Sequence, residues 1–143
     1  MRILLVDDNE ATLRILSEVV TDLGHEPLAC SRADRALALC RESPFPLILT
    51  DVRMPDLDGL EFLTQLKQDP RTRAADVILV TGHGDLDTAI AALRKGAYDF
   101  LPKPVDARAL AAAIERSVEH QALLRDNVEL STQMEQRVDR ATQ

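Results

Sequence analysis

Residues 47–51, Leu-Ile-Leu-Thr-Asp, constrain the fold of this chain more than any other stretch. The run is apolar over the length of a strand, lacks a helical polar face and ends at the carboxylate of Asp51. Pro55 and the turn-forming pair Asp58 and Gly59 follow it. A short apolar run closed by turn signals is typical of a strand buried on both faces of a parallel sheet. We therefore expect Asp51 at the carboxyl end of a central strand, which is the edge where open α/β sheets bind ligands.

Four further apolar runs of strand length alternate with segments of helical periodicity. These runs are residues 2–6, 26–30, 76–80 and 98–101. The helical segments are approximately residues 10–23, 31–42, 57–68 and 86–95, with a last one that starts at 107. Because the loops between them are short, this alternation predicts an α/β fold in which a doubly wound, five-stranded parallel sheet carries helices on both faces.

Several residues mark the ends of the predicted helices. Gly24 and Gly96 stand where a helix C-terminus favours a residue with positive φ. Ser31 followed by Asp34 resembles a capping box and predicts the start of the second helix. Asp106 predicts the N-cap of the last helix.

The composition argues against several classes of function. The chain has 143 residues, a size that suits one domain with one core. A net charge of -7 argues against charge-driven binding of nucleic acid, and an aromatic content of 3% argues against a stacking platform for single strands. We find no apolar run of membrane-spanning length and no signal peptide, and the two cysteines match no metal or redox spacing. We therefore expect a cytoplasmic protein with reduced thiols and no membrane contact.

The last helical segment is longer than a domain of this kind needs. No glycine or proline follows Pro104, and residues 107–140 have helical composition throughout. Leu110, Ile114 and Val118 share one helical face that can pack on the sheet. We therefore divide the chain into a domain of residues 1–120 and a helical extension of residues 121–143.

The extension carries an imperfect heptad seam. The positions with 4-3-4 spacing are Leu123, Asn127, Leu130 and Met134. Asn127 would set the register of paired helices, as a polar residue at a core position does in coiled coils. We expect a coiled coil that joins two copies of the chain, and a solvated helical linker is the alternative.

Five polar side chains follow the carboxyl ends of the predicted strands. Asp7 and Asp8 follow the first strand, Asp51 ends the third, Thr81 the fourth and Lys103 the fifth. In a parallel sheet these ends meet at one edge, so the carboxylates would repel one another unless a hard cation such as Mg²⁺ binds them. A lysine and a hydroxyl facing that cluster suit an incoming phosphoryl group, and a carboxylate is a competent nucleophile for it.

Each of these residues also has an ordinary structural role open to it. Asp7 or Asp8 could cap the first helix, and Asp51 could lie in a turn. Lys103 could be one more solvated charge, which is the usual state of a lysine. Such roles do not explain why all five fall at strand ends of one polarity and why all suit Mg²⁺ and phosphate.

Four segments of this sequence resemble the receiver domain of bacterial two-component response regulators. They are residues 5–9 (LVDDN), 50–59 (TDVRMPDLDG), 80–82 (VTG) and 96–104 (GAYDFLPKP). The resemblance covers residues 1 to about 120, and the loop Gly82-His83-Gly84 is similar to that of the nitrogen-regulator subclass. It implies a flavodoxin-like sheet with the strand order 2-1-3-4-5.

The resemblance also implies a role for each polar residue at the strand ends. Asp51 is then the phosphoacceptor. Asp7 and Asp8 hold Mg²⁺, together with Asp51 and the backbone carbonyl of Arg53. Lys103 pairs with the phosphate oxygens.

Two further residues are implied as the moving parts of a switch. Thr81 swings toward the phosphoryl group once it is present, and Phe100 is the aromatic residue that turns inward behind it. Tyr98 is the neighbouring aromatic residue and the less expected switch. The bond between Lys103 and Pro104 is expected to be cis, as in the family.

The resulting hypothesis is a signalling switch rather than a metabolic enzyme. A sensor histidine kinase would donate a phosphoryl group to Asp51, and the protein would catalyse its own phosphorylation and slow dephosphorylation. Phosphorylation would change the conformation and the homodimer, through the terminal helix or the face of the fourth helix and fifth strand, and so control an output domain absent from this chain. Two alternatives stay open: a hydrolase of the aspartyl-phosphate kind, and a pseudo-receiver that acts only as a binding module.

Overall fold

A five-stranded parallel sheet forms the centre of the molecule. The computed structural model describes residues 1–54, 56–82 and 86–142, and the side chains of all of these except residues 86 and 126–142. The strands are β1 (Arg2–Val6), β2 (Glu26–Cys30), β3 (Leu47–Asp51), β4 (Asp76–Thr81) and β5 (Asp99–Pro102). The helices are α1 (Glu10–Asp22), α2 (Ala33–Glu42), α3 (Gly59–Gln68), α4 (Leu86–Arg94) and α5 (Ala107–Thr142). The strand order β2-β1-β3-β4-β5 confirms the predicted topology.

The sheet lies between two layers of helices, and an apolar cluster fills the space on each of its faces. Ile3 and Leu5 of β1 lie in a cluster with buried residues of α1 and α5. Leu4 and Val6, which point the other way because side chains alternate along a strand, lie in a cluster with α2, α3 and α4. Both faces of the sheet are therefore covered, as the uninterrupted apolar strands predicted.

The register of the strands brings their carboxyl ends to one edge. Val6 is paired with Thr50, so Asp7 follows β1 beside the end of β3. Asp51 is paired with Val80, which leaves Thr81 one residue further along β4. The site predicted from the strand ends is thus assembled by the parallel register itself.

The caps of the first two helices differ from the sequence-based expectations. Asn9 is the N-cap of α1 and accepts a hydrogen bond from the amide of Thr12, so neither Asp7 nor Asp8 caps that helix. The capping box predicted at Ser31 is wrong, because α2 begins one residue later, with Arg32 at the N-cap position and no side-chain cap bond.

The carboxylate of Asp56 serves the start of α2 instead. It accepts hydrogen bonds from the amides of Ala33 at 3.3 Å and Asp34 at 2.8 Å. The first N–H groups of a helix have no acceptor within that helix. Here the acceptor is the carboxylate of Asp56 in the loop after β3, which lies 22 residues from Asp34 in the sequence. The glycine predictions are confirmed, with φ of 85° at Gly24 and 112° at Gly96.

Two other element boundaries move by one or two residues. Helix α3 begins at Gly59 rather than at residue 57, and the side chain of Asp58 caps it through the amide of Leu60. Strand β5 begins at Asp99 rather than at Tyr98. The predicted N-cap of α5 is confirmed, because Asp106 accepts a hydrogen bond from the amide of Arg108.

Helix α5 packs on the sheet through its first half. Leu110, Ile114 and Ser117 are fully buried, whereas Leu123 is 66% exposed. The side chains of Asn127, Leu130 and Met134 in the predicted seam lie outside the described residues. The helix continues to Thr142, and its pairing as a coiled coil stays a prediction. Among the described residues, no helix has both the length and the apolar character needed to cross a membrane.

Candidate functional site

Lys103 bridges two carboxylates at the carboxyl edge of the sheet. Its Nζ lies 2.9 Å from Oδ2 of Asp7 and 3.0 Å from Oδ2 of Asp51. Asp7, directly after β1, is fully buried, and Asp51, at the end of β3, is 7% exposed. The predicted convergence of these three side chains is therefore what the structure shows.

Asp8 completes an acidic cluster beside this pair. Asp7, Asp8 and Asp51 each offer a carboxylate oxygen, and these oxygens lie within 4.8 Å of one another. Oδ1 of Asp7 accepts a hydrogen bond from the amide of Asn9 at 2.9 Å. Oδ2 of Asp7 contacts the Lys103 ammonium but has no hydrogen-bond partner among the described residues. A buried oxygen in that state, next to two more carboxylates, fits a site for a hard divalent cation.

The surroundings shift the pKa values of Asp7 and Lys103. Burial raises the pKa of Asp7; the amide of Asn9 and the contact with Lys103 offset this only in part. Burial alone would lower the pKa of Lys103, but its contacts with Asp7 and Asp51 outweigh that effect and raise the pKa. Lys103 therefore remains an ammonium at neutral pH. The contact with this ammonium does not fully offset the cost of a buried charge on Asp7, so a metal cation would stabilise the Asp7 carboxylate further.

Thr81 and Lys103 are tied together through their backbones. Thr81 ends β4 and is 4% exposed, and its carbonyl accepts a hydrogen bond from the amide of Lys103 at 2.6 Å. The peptide bond between Lys103 and Pro104 is cis, as expected. A movement of the Thr81 backbone would therefore displace the backbone of Lys103, which carries the ammonium group.

The two aromatic residues near β5 lie in different environments. Phe100 is half-buried and packs against the cluster on the side of α2, α3 and α4. Tyr98 packs on the opposite side, donates its hydroxyl to the carbonyl of Arg116 at 3.3 Å and stacks on His120. Tyr98 is thus fastened to α5, whereas Phe100 faces the layer that contains α4.

The loop after Asp51 approaches α3 closely at Gly59. The amide of Gly59 donates to the carbonyl of Val52 at 2.8 Å, and a Cβ at this position would lie 2.7 Å from Cα of Val52. The amide of Arg53 donates to Oδ1 of Asp51 at 3.3 Å. The sequence marks Gly59 only as a turn residue, and this close approach was not anticipated.

A second polar cluster, at the amino end of β4, was missed by the sequence analysis. Asp76 is 4% exposed and accepts a hydrogen bond from Oγ of Ser117 at 2.8 Å. Nδ1 of His120 lies 2.9 Å from the same carboxylate oxygen. The available signal was an acidic residue that opens an apolar strand, because a buried charge requires partners. The cluster fastens α5 to the sheet at the edge opposite Asp51.

Comparisons with known proteins support one family. Residues 3–115 match the model of the response regulator receiver domain. The DNA-binding transcriptional regulator NtrC of Salmonella typhimurium is 35% identical over 116 residues, which are 81% of this chain and 24% of that protein. The chain thus spans about a quarter of the length of the curated relatives it matches.

Solved structures agree with this match. A response regulator receiver domain protein from Clostridium thermocellum is 35% identical, with a TM-score of 0.80 over 86% of this chain and 98% of that chain. The beryllofluoride-activated NtrC4 receiver domain dimer is 37% identical, with a TM-score of 0.78 over 84% of this chain and 98% of that chain. These likenesses agree with the resemblance to the nitrogen-regulator subclass that the sequence motifs indicated.

Proposed function

Because this chain belongs to the family of response regulator receiver domains, we propose that it is a phosphorylation switch in which Asp51 accepts a phosphoryl group from a sensor histidine kinase. The observation that carries the proposal is the contact of the Lys103 ammonium with both Asp7 and Asp51. A nucleophilic carboxylate and a cation for the phosphoryl oxygens lie side by side there. Membership of a signalling family speaks against the hydrolase alternative.

The transfer requires one bond to form and one to break. A carboxylate oxygen of Asp51 attacks phosphorus, and the bond from phosphorus to the imidazole nitrogen of the donor phosphohistidine breaks. The electron pair of that bond stays on the imidazole, which then takes up a proton. The Lys103 ammonium neutralises charge on the equatorial oxygens, and the Thr81 hydroxyl donates a hydrogen bond to one of them.

Asp7, Asp8 and Asp51, with the backbone carbonyl of Arg53, would hold Mg²⁺. The support is the cluster of carboxylate oxygens within 4.8 Å and the buried Oδ2 of Asp7, which contacts the Lys103 ammonium but accepts no hydrogen bond from the part of the chain that the structure describes. Oxygen ligands of this kind suit Mg²⁺, which would neutralise negative charge where phosphoryl and carboxylate oxygens meet. The same residues would favour slow hydrolysis of the aspartyl phosphate, so that the protein catalyses both its phosphorylation and its dephosphorylation.

Thr81 and Phe100 would convert the phosphoryl group into a conformational change. A ligand shifts an equilibrium only by contacts that differ between the two states, and a Thr81 hydroxyl drawn to the phosphoryl group is such a contact. Phe100 would turn into the space that Thr81 leaves. The surface altered would include α4 and β5, because Phe100 packs against the layer that contains α4.

The altered surface would control pairing between copies and an output domain outside this chain. A relative named as a beryllofluoride-activated dimer of a receiver domain supports dimerisation. A relative named as a DNA-binding transcriptional regulator, of which this chain matches 24%, supports a separate output domain. We place the domain at residues 1–120 and the extension at 121–143, where a coiled coil would join two copies. The net charge of -7 supports contacts with proteins rather than with nucleic acid.

Phosphorylation by a small donor tests the proposal directly. The chain is incubated with acetyl phosphate and Mg²⁺, and intact-mass and peptide spectrometry locate the added phosphoryl group. We expect one group on Asp51, none on Asp51→Asn, and full labelling of Asp58→Asn, since asparagine also caps a helix. Light scattering with and without beryllofluoride then measures dimerisation. Absence of labelling together with absence of beryllofluoride binding would support a pseudo-receiver instead.

A further inference from the structure

A cavity of about 490 Å³ opens at the amino ends of the strands, at the edge of the sheet opposite Asp51. We name it the basal cavity. Pro46 before β3 and Ala75 before β4 border it, and the second half of the packed part of α5 forms one wall with Val118, Gln121 and Arg125. Its volume lies within the range of about 300–1,000 Å³ that small-molecule sites occupy.

The interior of the basal cavity is apolar. The half-buried side chains of Pro46 and Val118 give it accessible apolar surface, and Phe45 and Ile48, which are 3% and 0% exposed, belong to the packed core beside it. Two buried polar side chains of the lining, Thr72 and Gln121, already make hydrogen bonds. Thr72 donates its hydroxyl to the carbonyl of Leu66 at 2.6 Å, and the amide nitrogen of Gln121 donates to the carbonyl of Ala74 at 3.0 Å. These bonds hold the α3–β4 connection and α5 in fixed positions around an apolar space.

The charged groups at the basal cavity are all cationic. Arg71 and Arg125 line it, and the described lining residues include no carboxylate. The charge of the side chains that line the cavity is therefore opposite in sign to the net charge of the whole chain, which is -7. Burial and the neighbouring amino terminus lower the pKa of His25, so its imidazole adds no positive charge at neutral pH. Arginine, with its planar set of donors, is suited to carboxylates.

The two arginines differ in what they already bind. Arg71 donates from Nε and Nη2 to the carboxylate of Asp69, at 3.1 and 2.9 Å, which leaves Nη1 for another acceptor. Arg41 also reaches Asp69, at 3.4 Å, so that carboxylate is shared between two guanidinium groups. Arg125 makes no hydrogen bond or ion pair with the described residues and is exposed at the cavity.

We propose that the basal cavity binds a small amphipathic carboxylate, an organic acid whose apolar body lies against Pro46 and Val118 and whose carboxylate meets Arg71 and Arg125. Charge complementarity selects the anion, and the apolar interior selects its body. Because α5 supplies one wall, the bound acid links residues 118–125 to the α3–β4 connection. It thereby stabilises the position from which the helical extension leaves the domain. The site is an input separate from Asp51, at the other end of the strands.

Titration of the isotope-labelled chain by NMR tests this site. The probes are 4-phenylbutyrate, octanoate and indole-3-acetate, with 4-phenylbutanamide as the neutral counterpart of the first. We expect saturable shifts of the amides of Phe45, Leu47 and Ile48 and of residues 71–75 and 118–125 with at least one acid. We expect the affinity for the neutral amide to be lower by a factor of about ten or more, because the amide lacks a charge-assisted contact.

Variants separate this site from a nonspecific apolar surface. Arg125→Gln should weaken binding of the acid about tenfold, and Arg108→Gln, an exposed arginine near the start of α5, should leave it unchanged. Asp51→Asn should also bind the acid normally, which keeps the outcome independent of the phosphorylation site. The proposal is overturned if none of the three acids gives saturable shifts at these residues. It is equally overturned if acid and amide bind alike, or if Arg125→Gln has no effect.

Discussion

The ammonium nitrogen of Lys103 lies 3.0 Å from Oδ2 of Asp51, although the two residues are 52 positions apart in the chain. The contact exists because β3 and β5 end at the same edge of a parallel sheet. It also means that the group expected to receive a phosphoryl group already touches the cation expected to neutralise it.

Replacement of Lys103 by methionine should slow phosphorylation of Asp51 about 100-fold. Removal of one preorganised donor aimed at developing charge typically costs a factor of about 10² to 10³ in rate. Intact-mass kinetics with acetyl phosphate measure the effect. Lys95→Met is the control, because Lys95 is exposed at the end of α4 and outside the cluster. Equal rates for the two variants would contradict the assigned role of Lys103.

Gly59→Ala should destabilise the protein by about 1–3 kcal/mol. The added Cβ would lie 2.7 Å from Cα of Val52 and 2.8 Å from the carbonyl oxygen of Asp51, so backbone on both sides must shift. Urea unfolding measures the loss, and phosphorylation of Asp51 should slow in parallel because the same loop orients its carboxylate. Gln68→Ala, at an exposed position of the same helix, should change stability little. Stability of Gly59→Ala equal to that of the parent chain would refute the close approach.

Asp56→Ala should cost about 1 kcal/mol, and Ser31→Ala should cost much less. Asp56 accepts the free amides at the start of α2, whereas Ser31 makes no cap bond to that helix. Loss of a cap typically costs about 0.5–2 kcal/mol. Chemical unfolding of the two variants, side by side, distinguishes the observed cap from the capping box that the sequence suggested. The opposite order of the two losses would favour the capping box.

Ser117→Ala should cost about 2 kcal/mol and loosen the packed part of α5. The substitution leaves the buried carboxyl group of Asp76 without its hydroxyl donor, and hydrogen bonds to charged groups contribute about 1.5–3 kcal/mol. Hydrogen exchange should accelerate at residues 117–125 before it does in β1. Glu119→Ala, on the exposed side of the same turn, is the matched control. Unchanged exchange in that segment would show that the Asp76 cluster does not fasten α5.

Stability should fall between about pH 4 and pH 2 in part through Asp69. A hydrogen bond from the Arg71 side chain, with one from the Arg71 amide, lowers the pKa of Asp69 from 3.8 to about 2. A carboxyl group with a lower pKa in the folded state contributes stability above the unfolded pKa, and this contribution is lost as pH falls through the folded value. Urea unfolding at several pH values should therefore show a shallower acid decline for Asp69→Asn and for Arg71→Gln. Acid declines parallel to that of the parent chain would exclude this contribution.

The strand pattern and the strand-end residues were predictable because they are local. A buried parallel strand is an uninterrupted apolar run whatever surrounds it, as residues 47–51 show. In a parallel sheet the residues that follow the strands lie at the same edge, so the proximity of Asp7, Asp51 and Lys103 could be predicted from the sequence. The Ser31 prediction was wrong for a related reason. A capping motif concerns only hydrogen bonds between neighbours in sequence, and it cannot show that a carboxylate from another loop accepts the same amides.

The sequence by itself determined the order of elements, the fold class and the members of the acidic cluster, since these depend on periodicity and on the polarity of parallel strands. Only the tertiary structure decided that Asp56 caps α2, that Asp76 binds Ser117 and His120, and that Arg125 stands over an apolar cavity. Each of those contacts joins segments more than 20 residues apart. Their geometry depends on how two layers of helices pack on the sheet, and no local pattern of residue types encodes that packing.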